Sequence, residues 1–182
     1  MISVLINLIS LLFLVFLQVS FLATWTFPIN SVNLILILVI FLTVIINYHR
    51  GLAWALGGGL MLDIYFSNLF GAATIGLFLT AFGINFLFNN FFTNRSLYSL
   101  LILGFLGTVG YNLIIFGFKL LASIFGFSIV ELGFDPWIMI FWQPVLNLII
   151  LAIIFFTYYI SSGRLKNIFL FHPNSYEIKG KF

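Results

Sequence analysis

Cysteine is absent from the 182 residues of this chain. That removes disulfides, thiolate metal sites and thiol catalysis, without fixing a compartment. Charge is nearly as scarce: 6% of residues are Asp, Glu, Lys or Arg, against roughly 25% in an ordinary soluble domain. Histidine occurs twice, as His49 and His172, and the two do not stand at metal-ligand spacing. Acid is rarest of all, since Asp63 is the sole acidic residue in the first 130 positions. Motifs of catalysis are missing too: there is no H-E-x-x-H, no G-x-S-x-G and no Walker-type loop. The run Gly57-Gly58-Gly59 is not followed by Lys-Ser/Thr, and Asp63 lacks the second carboxylate an intramembrane aspartyl protease requires. The expectation is a protein that is not an enzyme and carries no cofactor or metal. The net charge of +3 comes largely from basic residues after position 163, so it implies no nucleic-acid partner.

What the chain does have is apolar sequence. Hydrophobic residues make up 63% of it and the mean hydropathy is +1.25. Residues 1–46 contain no charged side chain, twice the length of about 20 residues that one membrane span needs. Pro28 and Asn30 in Thr26–Ser31 break this run, and helices are expected at about 3–26 and 31–47. The first run lacks a basic leader and a small-x-small cleavage site, so it is expected to stay on the protein. Tyr48-His49-Arg50 reads as a short basic loop. Helices three to five follow at about 51–66, 70–91 and 97–118. Ser67-Asn68 ends the third, and Asn89-Asn90 with Thr93-Asn94-Arg95 separates the last two. Residues 120–130 are too few to span again and either extend helix five or lie at the interface. Glu131 and Asp135 form an acidic loop before a sixth helix at about 137–160.

Under this reading Arg50, Arg95 and the tail group Arg164, Lys166, Lys179 and Lys181 share one side. The positive-inside rule places that side, and both termini, in the cytoplasm. The expected fold is therefore an all-α membrane protein of six transmembrane helices over 1–160, with a basic cytoplasmic tail over 161–182. Alternation of the tail's basic residues with Ile168–Phe171 suits it to anionic lipid.

Asp63 needs a reason to sit in lipid, where an acid costs roughly 2.5 to 3.5 kcal/mol on insertion scales. Gly51, Ala55 and Gly59 precede it at four-residue steps, so all four share one helix face. Small residues let a second helix approach closely, which points this face into the bundle or toward a partner helix. Counting about 1.5 Å per residue places Asp63 in the outer part of the bilayer core. Thr108 falls near its level, and Asn33, Asn112 and Asn147 about one helical turn farther out. Gln18 joins this polar layer. The layer is open to three readings: interhelical hydrogen bonding, an outward-facing ligand pocket anchored by Asp63, or an ion pathway.

One combination of residues carries a family likeness. Gln18, then Pro28-Ile29-Asn30-Ser31-Val32-Asn33-Leu34, then Arg50-Gly51, Gly59-Leu60-Met61-Leu62-Asp63 and Gly71 resemble the MreD family of rod shape-determining membrane proteins. The likeness covers about residues 10–115, with hydropathy and the basic tail matching beyond. It implies a non-catalytic subunit of the bacterial cell-elongation machinery in the plasma membrane. Such a subunit binds an MreC-like single-span protein and couples MreB filaments to the RodA/penicillin-binding-protein peptidoglycan synthase. Gly51, Ala55, Gly59 and Asp63 would then form the bundle core or a docking face. The alternative is transport. Substrate-binding subunits of energy-coupling-factor vitamin transporters are compact six-helix bundles of similar size, with a ligand site toward the outside.

Overall fold

Backbone polar groups in lipid must bond within their own segment, and the described residues form helices and no strand. The computed structural model describes residues 2–65, 71–92, 94–126 and 134–161. Helix α1 (Ile2–Phe16) runs on through a π turn, Leu17–Phe21, and a 3-10 turn, Leu22–Thr24. A connection containing a cis Phe27-Pro28 bond leads to α2 (Leu34–Phe41), which continues as a second π turn, Leu42–Ile46. Then come α3 (Tyr48–Tyr65), α4 (Ala72–Phe91), α5 (Leu97–Ile124) and α6 (Phe134–Ser161).

Capping residues account for where several of these begin. The Asn33 side chain accepts from the Leu36 amide at 3.0 Å, so α2 starts at Leu34 and not at 31. Asn47 accepts from the His49 amide at 3.0 Å and allows the helix to restart at once. The expected loop Tyr48-His49-Arg50 is therefore the first turn of α3. Ser96 caps α5, accepting from Ser99. Beyond residue 118, α5 continues to Ile124, so residues 120–124 extend the helix. Helix α6 starts three residues earlier than expected and takes Asp135 into its first turn; it then passes through Pro144 without ending. Ser67-Asn68, Glu131 and the basic tail 162–182 lie outside the described residues.

Side-chain contacts show the helices running alternately up and down. Gln18 of the first meets Asn33 at the start of the second. Thr43 near the end of the second meets Gly51 at the start of α3. Asp63 near the end of α3 meets Thr74 at the start of α4. Ile84 of α4 meets Gly107 of α5, and Gly104 of α5 meets Leu148 and Leu151 of α6.

The second helix lies at the centre. Leu36, Val39 and Val44 are wholly buried, with Ile35, Ile37 and Ile40 nearly so. A helix that is apolar all round belongs in such a position. Around it, Leu5–Thr24, Ala72–Phe91, Leu97–Ile124 and Phe141–Ser161 are long and apolar enough to cross a membrane; Leu34–Ile46 is apolar but shorter. Helix α1 is the most peripheral, with Leu5, Phe13 and Phe16 each about 60% exposed. The chain is thus all-helical over its described residues, with the composition of a multi-pass membrane protein.

Candidate functional site

The α3–α4 contact begins with glycine. A Cβ on Gly59 would overlap the Thr74 Cα, and one on Gly51 would overlap the Thr43 side chain. Hydrogen at these positions is what lets α3 lie against α4 on one side and against the second helix on the other. Ala55, between them, is completely buried. The four-residue stripe therefore faces inward along its whole length.

One turn beyond Gly59, the stripe ends at Asp63, which is 2% exposed. Its Oδ1 accepts from the Ala73 amide at 2.9 Å, and its Oδ2 accepts from the Thr74 amide at 2.9 Å and from the Thr74 hydroxyl. These amides belong to the first turn of α4, which has no intrahelical acceptors for them. The local N-cap is Gly71, at φ 94°, with no side chain to offer. A neighbouring helix thus supplies the cap, and the carboxylate meets the positive end of the α4 dipole. It accepts three hydrogen bonds and donates none, the acceptor-only role of a carboxylate. Nothing in the apolar run around Asp63 signalled this partner. The usable signals were Gly71, a helix start without a capping side chain, and Thr74 three residues farther on.

A second polar cluster joins the first, second, fifth and sixth helices. Gln18, carried by the π turn, donates from Nε2 to Asn33 Oδ1 at 3.3 Å and accepts at Oε1 from the Ile35 amide at 3.2 Å. The Asn33 amide donates to Asn147 Oδ1 at 3.2 Å, and Asn147 Nδ2 donates to Thr108 Oγ1 at 3.4 Å. Thr108 in turn donates to the Gly104 carbonyl at 2.8 Å. Four residues from four helical segments, Gln18, Asn33, Thr108 and Asn147, are therefore linked in one chain. Asn112, the fifth residue placed in this layer from sequence, is not linked: its Nδ2 is buried without a hydrogen-bond partner. Tyr111 sits where the two clusters approach. Its hydroxyl reaches the Asn33 side chain and its ring lies over Gly76.

At the opposite end Arg95 has a role that charge counting did not reveal. Its guanidinium donates to the Ile45 carbonyl at 2.9 Å and the Ile46 carbonyl at 3.1 Å, two of the orphan acceptors at the end of the second helix. The Arg95 carbonyl accepts from the Tyr159 hydroxyl at 3.3 Å. The 2–3 and 4–5 connections and the exit of α6 are thereby gathered at one end of the bundle. Among the described residues no group of three or more His, Cys, Asp or Glu side chains is arranged to hold a metal ion. Comparison of the chain with protein-family models, curated proteins and solved structures finds no match.

Proposed function

We propose that this chain is an MreD-like, non-catalytic scaffold of the bacterial cell-elongation machinery in the plasma membrane. The observation that carries the reading is the saturation of Asp63. Its oxygens are spent on the first turn of α4, so the one acid in the spans acts as a structural cap and not as an anchor for a ligand. The hydrogen bonds that join Gln18, Asn33, Asn147 and Thr108 support the same view, because these side chains hold helices together. Gly51, Ala55 and Gly59 are covered by the chain's own helices, which favours the bundle-core role for that face and leaves partner docking to outward surfaces.

In this reading all six helical segments cross the membrane, the last of them over Phe141–Ser161. Arg50 and Arg95 stand at the end of the bundle where α6 leaves, and the positive-inside rule assigns that end to the cytoplasm. Both termini are then cytoplasmic, and the basic tail lies on anionic lipid. The partner within the membrane is an MreC-like single-span protein; MreB and the RodA/penicillin-binding-protein synthase join through the complex.

The test is a mild-detergent pull-down of the tagged protein from its native membranes, with mass spectrometry of what co-purifies. Recovery of a single-span coiled-coil protein with a peptidoglycan synthase is the expected result. Recovery of ATPase subunits in their place would overturn the reading in favour of a substrate-binding subunit of an energy-coupling-factor transporter.

A further inference from the structure

Between α1 and α3 lies an open cleft of about 460 Å³. Leu12 and Val15 form one wall and Met61 and Ile64 the other, while the hydroxyl-bearing residues Ser20 and Tyr65 stand toward one end. The two helices run parallel here, since Leu11 lies against Gly57 and the cleft continues from both toward their C-terminal ends. We propose that this cleft holds one acyl chain of a membrane phospholipid, with its head-group end toward Ser20 and Tyr65.

Three observations lead to this occupant. First, the cleft is continuous with the exposed apolar surface of Leu5–Thr24, which is long and apolar enough to cross a membrane. Leu12 and Ile64 line it and are also 47% and 72% exposed on helices at the bundle's edge. A chain in the surrounding leaflet enters it without crossing protein. Second, the shape suits one narrow chain: the cleft follows the first helix over roughly 12 Å of axis, between Leu12 and Ser20. Third, the lining matches an amphiphile. Its walls are hydrocarbon and thioether, and its hydroxyls are confined to one end. Water is a poor filler for such a space because it finds few polar partners there. An empty cleft would forfeit the dispersion contacts of both walls.

The experiment uses the full chain reconstituted into nanodiscs of a single phosphatidylcholine, released into mild detergent and weighed by native mass spectrometry. The parent chain is expected to retain one phospholipid. Val15→Phe, which fills the cleft, is expected to lose it, while Leu79→Phe, on the exposed face of α4, keeps it. No retained lipid in the parent, equal retention in all three proteins, or a retained second protein chain in place of lipid would overturn the proposal. Should Val15→Phe fail to fold, a phosphatidylcholine with a photoreactive acyl chain gives the answer on the parent alone. Labelling concentrated on Val15 and Met61 is expected. Labelling that simply follows exposure, greatest on residues outside the cleft such as Phe82 and Phe86, would refute a bound chain.

Discussion

Removing the Asp63 carboxylate tests the interhelical cap directly. In Asp63→Ala, the Ala73 and Thr74 amides, each now bonded at 2.9 Å, lose an acceptor that is itself buried. A buried donor left unsatisfied costs about 1–3 kcal/mol, so two of them cost about 2–6 kcal/mol by the same rule. Loss of a negative charge at the start of α4 adds up to about 2 kcal/mol where the site is buried. Asp63→Asn keeps one acceptor oxygen and strands one amide, at about 1–3 kcal/mol. The order of stability should be Asp, then Asn, then Ala. Unfolding of the purified protein in mixed micelles, titrated with sodium dodecyl sulfate and followed by circular dichroism, gives these differences. A double-mutant cycle with Thr74→Val isolates the hydroxyl bond, and a coupling of at least about 0.5 kcal/mol is expected for residues in contact. The reasoning fails if Asp63→Ala lies within about 1 kcal/mol of the parent, or if the two substitutions are additive.

Other substitutions separate packing from mere composition. Gly59→Ala should destabilise by about 1–3 kcal/mol, because its Cβ meets the backbone of Thr74 and α4 must move. Gly83→Ala, with nothing within 4 Å of the added carbon, should instead be neutral or gain up to about 1 kcal/mol; the same unfolding titration compares them. Asn147→Leu should cost about 1–3 kcal/mol by stranding the Asn33 amide, whereas Asn112→Leu should stabilise, since it removes a buried donor without a partner. Equal losses at the two asparagines would contradict the hydrogen-bond assignment. Arg95→Ala should cost about 1 kcal/mol and increase hydrogen exchange at the end of the second helix, which loses the cap on Ile45 and Ile46; unchanged exchange there would count against the clasp.

Much of this arrangement is legible in the sequence. Four-residue spacing alone places Gly51, Ala55, Gly59 and Asp63 on one face, because the helical period leaves no other choice. The partner of Asp63 was not readable, because two of its three donors are backbone amides and the sequence does not encode them as residue types. Counting rise along each helix grouped Asn33, Asn112 and Asn147 at one level, with Thr108 about a turn lower. The real layer takes Thr108 and leaves Asn112 out. A count of that kind resolves no better than one turn of about 5.4 Å. Here it was further displaced by the π turn in the second helix and by the earlier start of α6. Arg95 illustrates a different gap. Its charge pointed to one side of the membrane, but its service to the Ile45 and Ile46 carbonyls depends on a turn geometry that hydropathy does not contain.

The centrality of the second helix bears on how the protein is made. Leu34–Ile46 covers about 20 Å at 1.5 Å per residue, short of a hydrocarbon core of roughly 30 Å. Its burial comes from segments synthesised after it, including Ile84 and Gly107, which close around Ile40. While the chain is emerging from the ribosome, this segment has nothing but α1 beside it. Release from the insertion machinery into open lipid at that stage would leave it poorly matched to the bilayer. If it spans the membrane as proposed, its stable residence awaits the arrival of α4 and α5. A nascent chain stalled after α3 should remain adjacent to the translocon, and one stalled after α5 should have left it.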